Sequence, residues 1–469
     1  MNQPNILFIM SDQHRADCTS IEGRHPVLTP NMDSIASAGA RFSRAYTTCP
    51  TCIASRRSLL SGQFPPTHGM VGYRDGVEWD APPTLPGVLS EAGYHTAIVG
   101  RSMHQHPIRK RYGYQEMIIN DRISEYCYDK WLERNADVPN ADWFGGGVMH
   151  NDWTAKPWHL DESLHFTNWV TDQALDFLKR RDPSCPFFLT VSYIAPHPPL
   201  QPPAFYLERY LRTGVLPPDI GDWATPPGGS MRWGNISSKN VNLEDEVLLS
   251  ARAGYYGLIN HIDDQIRRLI NPVNGIDRMT GRNTIVVYTS DHGEMLGDHY
   301  RWHKVAPYEG SARIPLFLRA PERFGIRPET VSDEPVCLED IMPTMLDLAG
   351  ADVPDTVEGR SLVPLMQGEK PEWRTHLHIE HAPDHQSLTD GKEKFVWLVE
   401  DGTEQLFDLD SDPTELKNLI DNPDHQDRIA EWRSILIEEL HDRPEGFVKD
   451  GKLVPGRPYS ATLPHAGKA

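Results

Sequence analysis

Cysteine is scarce: six in 469 residues, too few for a disulfide framework. Long apolar runs are missing too. The one near the start, residues 6–10, is too short for a signal-peptide core or a membrane span. The cytoplasm is therefore the expected location, and no membrane partner is expected. Basic charge is also short. Lys and Arg number 46 against 66 Asp and Glu, a net charge of -20, without the basic excess that nucleic acid requires. A small anionic substrate stays open, because a few cations in a pocket set the local field. Internal repeats and low-complexity tracts do not occur. What remains, with 39% hydrophobic and 24% charged residues, reads as a soluble globular chain able to bury a deep core.

What is present alternates. Short apolar runs at 5–10, 95–100, 186–193, 283–289 and 314–318 read as buried strands. Between them lie helical patterns at 31–38, 55–60, 85–92, 165–181, 244–270 and 338–349. Thr29-Pro30 caps the first of these, with Gly39 past its end. Runs rather than alternations mark a parallel sheet covered on both faces. The expected fold is α/β, a large mostly parallel sheet sandwiched by helices. After about Gly368 the texture changes to short strands at 375–380, 394–399 and 404–409 and a helix at 426–440. The division is thus a catalytic domain, 1–368, and a small C-terminal α+β subdomain, 369–469. Proline clusters at 196–203 and 217–227 and the Gly/Trp-rich stretch 138–160 mark long loops, often substrate-facing in an enzyme.

Polar residues gather after strands. Asp12 and Gln13 follow the first, Arg101 and His104 the second, His197 the third, Asp291 and His292 the fourth. Each alone is ordinarily a helix cap or a satisfied loop residue. Together they sit where open α/β sheets bind ligands, outside the carboxyl ends of the strands. Asp12, Gln13, Asp291 and His292 suit a hard divalent ion. Their oxygens favour Ca²⁺ or Mg²⁺, and one imidazole widens the choice to Mn²⁺ or Zn²⁺. Cys52 opens a helix, with Arg56 and Arg57 adding positive charge, so an anion site adjoins it.

Cys49 and Cys52 admit several readings. A thioredoxin-like pair fits locally but leaves the polar set unused. A structural zinc site needs a second Cys or His pair, which is missing. A cysteine phosphatase needs Arg six residues after Cys, and Arg56 lies at seven from Cys49 and four from Cys52. Two inert buried thiols remain the plain alternative.

Cys52-Ile-Ala-Ser-Arg56 followed by Leu59-Leu-Ser-Gly62 resembles the signature of the sulfatases, formylglycine-dependent members of the alkaline phosphatase-like superfamily. There the pattern is Cys-x-Pro/Ala-x-Arg, and a maturation enzyme oxidises the Cys to formylglycine (3-oxoalanine). Asn5 to Gln13 resembles the family's first metal strand and Thr289 to His299 its second metal motif. Trp302-His-Lys304, Tyr308-Glu309, Arg313-Ile-Pro315, the helix 340–350, Gln405 to Leu409 and Asp412 to Glu415 continue the likeness. Two departures stand out: Ala54 replaces the commoner Pro, and Arg101 replaces a Lys, with His104 three residues on instead of two. His106 is the rival for the role of His104.

The resemblance implies a sulfuric ester hydrolase. Asp12, Gln13, Asp291, His292 and residue 52 would hold one divalent ion, Ca²⁺ first. Formylglycine at 52 would be hydrated to a gem-diol; one hydroxyl attacks sulfur, and the other expels sulfate as the aldehyde re-forms. Arg56 would hold the diol. Arg101, Lys304 and His197 would bind the sulfate. His197 with Lys304 would protonate the leaving alcohol, and His104 would take the diol proton. Cys49 becomes a bystander. The alternative with the same nucleophile and metal is a phosphonate monoester or phosphodiester hydrolase; a further class is a non-catalytic anion binder. An aryl, alkyl or carbohydrate sulfate is the expected substrate. Trp143, Trp153, Trp158, Trp223 and Trp233 either stack on it or pin the loops 125–165 and 200–240.

Overall fold

Asn5–Asp12 (β1) is buried at every residue, and it is paired in parallel on both sides. This places it at the centre of a sheet completed by Ala40–Phe42 (β2), His95–Gly100 (β3), Glu116–Ile119 (β4), Phe187–Pro196 (β5), Thr284–Ser290 (β6), Leu316–Arg319 (β7) and Thr330–Ser332 (β8). The spatial order is β4-β3-β5-β1-β6-β7-β2-β8. The computed structural model describes residues 3–227 and 238–467.

The apolar run of β1 serves two cores, because successive side chains point to opposite faces. Leu7 and Ile9 enter one cluster with Pro30–Ser37 (α1), Phe166–Arg180 (α4) and Asp245–Thr280 (α5). Ile6, Phe8 and Met10 enter the other, with Cys52–Ser61 (α2), Leu85–Glu91 (α3) and Ile341–Ala349 (α6). Each fully buried aliphatic side chain contributes about 1.5–3 kcal/mol, so a strand that is apolar on both faces is stable only between two helix layers. The large, mostly parallel sheet read from the sequence is therefore present.

Several expectations are corrected in detail. β7 is antiparallel to both neighbours, whereas its apolar run carried no sign of direction. β2, β4 and β8 are short strands that the pattern did not separate from loops. The helix expected at 244–270 runs on to Thr280 through Pro272; Val273 and Ile276 stay buried on its core face and outweigh the hydrogen bond that proline removes. Helices at Tyr128–Asn135 and Ala204–Thr213 interrupt the expected loops.

The C-terminal part is an antiparallel meander of Leu377–His381 (β9), His385–Thr389 (β10), Glu393–Leu398 (β11) and Glu404–Asp408 (β12). Gln426–Leu440 (α7) packs on it through Ile429, Trp432 and Leu436. β10, His-Gln-Ser-Leu-Thr, is too polar to be read as a strand, yet it is buried between two partners. Lys394 on β11 is fully buried and joins Glu309 and Glu415 at 2.8 Å each, fastening the meander to the larger body. The final segment returns to the start of the chain: Leu463 N donates to Gly69 O at 2.8 Å, and Arg57 Nη1 to Ala466 O at 2.7 Å. Among the described residues no helix is long and apolar enough to cross a membrane.

Candidate active site

The strand order β3-β5-β1-β6 sets four carboxyl ends side by side. They deliver Arg101, His197, Asp12 with Gln13, and Asp291 with His292 to one edge. The N-terminus of α2 meets them there. Cys52 is its first residue, 2% exposed. Its Sγ lies 3.1 Å from His292 Nε2 and donates to Asp12 Oδ1 at 3.6 Å. One ligand atom from each of Asp12, Cys52, Asp291 and His292 falls within 4.8 Å of the others.

Arg56, one helical turn after Cys52, is wholly buried. Its Nε donates to Asp291 Oδ2 at 2.9 Å and its Nη2 to Asp12 Oδ2 at 3.1 Å. Nη1 donates to Ser102 O at 3.1 Å and Ser192 Oγ at 3.3 Å. The guanidinium thus braces the two carboxylates. Burial acts to raise the Asp12 pKa, but Arg101, His197, Arg56 and His292 outweigh it and hold the group well below the usual carboxylate range.

Gln13 sits just past β1 at a φ of 73°, a left-handed turn that brings its backbone N–H to Asp291. Its backbone N donates to Asp291 Oδ1 at 3.0 Å. The side-chain amide is held at both ends: Nε2 donates to Glu294, and Oε1 accepts from Lys304 Nζ at 2.7 Å. Lys304 Nζ also donates to His197 Nε2 at 2.8 Å, while His197 Nδ1 donates to Pro198 O at 2.7 Å. Burial, then the Lys304 ammonium, keep the His197 imidazole neutral, with its pKa well below the ordinary value. Arg101 donates through Nε to Asp12 Oδ2 and through Nη2 to His104 Nε2, both at 3.2 Å. Burial and the cations Arg101 and Arg56 keep His104 neutral as well. His106, the rival candidate, is exposed.

The donor set fits a hard divalent cation. Two carboxylates, an amide oxygen and an imidazole are a mixed oxygen and nitrogen shell. His292 Nδ1 donates to Gly293 O at 3.0 Å, which leaves Nε2 facing the carboxylates. Burial by itself would lower the His292 pKa, yet Asp291 and the Cys52 sulfur push it up to about 9. That is the field of a site with surplus negative charge, which a bound cation would balance. The second buried group of this kind, Asp17, Cys18 and His25, has no such surplus, since Arg15 holds Asp17 through two hydrogen bonds.

The residues read from the sequence thus lie at one edge, apart from exposed His106 and from Arg57, whose guanidinium turns away to the Ala466 and Val77 carbonyls and the Trp79 ring. Two others at the site carried no role in that reading. Glu294 lies within the Thr289 to His299 motif, and only its contact with Gln13 reveals its task. His150 stands beside His197, ring centroids 6.0 Å apart, and burial lowers its pKa to about 4; no spacing in the sequence marks it. The tryptophans resolve differently. Trp143, Trp153 and Trp158 are buried in the core and pin their loops. Trp223 packs on His299, Tyr308 and Phe407. Trp233 lies outside the described residues. All six cysteines are free thiols, Cys49 included.

Comparison with known proteins agrees with this arrangement. Residues 4–351 match the family model Sulfatase, and residues 297–442 match that of the N-sulphoglucosamine sulphohydrolase C-terminal region. An arylsulfatase of Clostridium perfringens is 41% identical over 99% of both chains. The phosphonate monoester hydrolase of Agrobacterium radiobacter superposes with a TM-score of 0.77 at 23% identity, covering 93% of this chain and 95% of that one. A protein solved in complex with its substrate, D-glucosamine-2-N,6-O-disulfate, gives 0.73 at 23% identity over 94% and 98%. The two structures establish the shared alkaline phosphatase-like fold. A match over three-quarters of the chain, a full-length relative and a strand-edge constellation lead to one conclusion: this chain belongs to the sulfatase family and is a sulfuric ester hydrolase.

Proposed function

We propose that the enzyme cleaves an aryl, alkyl or carbohydrate sulfate monoester with residue 52 matured to formylglycine. The observation that carries this reading is the position of Cys52, at a helix N-terminus and 3.1 Å from His292 Nε2, with both carboxylates braced behind it by Arg56. Hydrated formylglycine supplies two hydroxyls, one to attack sulfur and one whose deprotonation re-forms the carbonyl as sulfate departs. Cys52 is buried, so a maturation enzyme must reach it before the chain folds. The divalent cation, Ca²⁺ first with Mn²⁺ or Zn²⁺ as alternatives, would be held by Asp12, Gln13, Asp291 and His292 together with residue 52. When bound, it would polarise the ester and make the nucleophile more acidic.

The chain's own residues divide the remaining work. Arg101 and Lys304 direct N–H donors toward the charge on the sulfate oxygens. Lys304 holds a proton at Nζ, and neutral His197 beside it completes the path to the leaving alcohol. Neutral His104 is the base that takes the nucleophile's proton. The division of the chain at 368 is also proposed; β9 to β12 and α7, with their own apolar cluster, support it. A cytoplasmic location is also proposed; the scarcity of cysteine, six in 469 residues, supports it.

The test has two parts. The tryptic peptide 45–56, from a host able to install formylglycine, should carry the aldehyde mass at residue 52. Cys52→Ala should abolish turnover and leave the fold intact; full activity in that variant would sink the scheme. The second reading, a phosphonate monoester hydrolase, is favoured by the likeness to the Agrobacterium enzyme. Parallel rates on a sulfate and a phosphonate monoester decide between them.

A further inference from the structure

A cleft of about 710 Å³ lies between the sheet domain and the C-terminal meander. Its size falls within the range of small-molecule sites. Lys304 lines it, and the same side chain reaches Gln13 and His197 in the active site. A leaving alcohol has to lie on the side of the group that protonates it. If Lys304 and His197 form the proton path, the cleft is where the alcohol part of the ester goes.

The lining of this cleft is not that of a water-filled seam. The protein carries 20 more acidic than basic residues, yet four cations line the cleft, Lys239, Arg301, Lys304 and Arg457, against Asp384, Glu400 and Asp401. Glu400 and Asp401 are exposed, and Asp384 lies 3.4 Å from the imidazole of His381. Arg301 lies over the ring of Tyr308, 5.5 Å from its centroid. No carboxylate among the described residues forms an ion pair with Arg301 or Lys239.

The hairpin between β9 and β10 adds a second observation. His385 lines the cleft and is 1% exposed. No side chain among the described residues hydrogen-bonds to its ring; the Val305 backbone lies beside it, and His381 beneath it pairs with Asp384 at 3.4 Å. The two rings stack at 6.4 Å. A buried imidazole with no side-chain partner has capacity left to bond a ligand hydroxyl or anion. The hairpin is tied to the larger body, because Ala382 N donates to Val71 O at 2.8 Å.

We infer that this cleft binds the alcohol part of the ester and selects a saccharide bearing a second anionic group, held by Arg301 and Lys239 with His385 bonded to a neighbouring hydroxyl. The inference rests on the sulfatase reading and names the substrate class for it. Arg301 presents a planar fork suited to a carboxylate or sulfate.

The test uses the mature full-length enzyme and two substrate pairs. One pair is a sulfated disaccharide with a uronate carboxylate and the same compound with that carboxylate reduced to the alcohol. The other is a disulfated and a monosulfated monosaccharide. The expected result is that kcat/KM favours the more highly charged member of at least one pair by about tenfold, the loss expected for one hydrogen bond to a charged group. Arg301→Gln should erase that preference. Lys239→Gln alters an exposed residue, and it should weaken the preference even if the arginine variant fails to fold. No preference in either pair, or a preference kept by Lys239→Gln and by a folded Arg301→Gln, overturns the subsite. An enzyme that cleaves 4-nitrophenyl sulfate without any such preference overturns the subsite alone. A formylglycine-bearing enzyme that cleaves no sulfate ester overturns the sulfatase reading and the subsite with it.

Discussion

Glu294 uses its carboxylate for orientation. It accepts from Gln13 Nε2, from the backbone N–H of Leu296 at 2.9 Å and from that of His303. These contacts determine which end of the Gln13 amide faces Lys304 and the carboxylates, and they hold the loop that carries Lys304. Replacing Glu294 by Gln puts an amide where a carboxylate accepted, and the Gln13 side chain loses its fixed sense. Loss of such an outer partner costs about 10–100-fold in metal affinity. Chelator competition should show that loss in Glu294→Gln, with kcat largely restored at saturating metal. Unchanged metal affinity would show that Glu294 only supports the loop. Glu294 stood in a recognised motif and still had no legible task, because its partner lies 281 residues away.

At the scale of elements, the site depends on how closely β3 and β5 approach. Gly100 ends β3 at a φ of 99°, and a Cβ there would fall 2.2 Å from Ser192 O on β5. Only glycine fits both the dihedral and the space. The next residue is Arg101, whose N–H donates to that same Ser192 carbonyl at 2.7 Å. Gly100→Ala must push the strands apart or unwind the turn, at a cost of about 3 kcal/mol from backbone strain and overpacking. Urea unfolding should show that loss, and KM for the sulfate ester should rise as Arg101 shifts. A Gly100→Ala protein with unchanged KM would separate Arg101 from sulfate binding. The Gly-Arg pair was legible in the sequence as a strand end. The need for glycine was not, since it comes from a neighbouring strand.

For the whole molecule, burial of neutral imidazoles sets the response to acid. Burial, the leading cause in each case, lowers the pKa of His14, His165 and His299 from an ordinary 6.5 to about 4. Below pH 6.5 the unfolded chain protonates these groups before the folded one does, so stability falls as pH falls. The fall runs from about 6.5 down to about 4, and each histidine contributes up to about 1.4 kcal/mol per pH unit. These three groups leave stability unchanged above pH 7. His292, pushed up to about 9, and Asp263 and Glu415, pushed up to about 7 by burial, act in the opposite sense, so the contribution is read by difference. The urea midpoint of His165→Asn should fall less between pH 6 and 5 than that of the unaltered enzyme, and an equal fall in both would refute the burial argument.

Alternation of strand and helix, the positions of the chemically active residues and the helix start at Cys52 were all determined by the sequence itself. Each depends on near neighbours: apolar period, capping, and the spacing within a motif. Only the tertiary structure decided that β1 lies between β5 and β6, that β7 runs backward, and that Arg56 faces two carboxylates. It also decided that Trp143, Trp153 and Trp158 are core residues and that His385 looks into a cleft. These features depend on which distant surfaces bury one another best, a competition across hundreds of residues that local pattern does not encode.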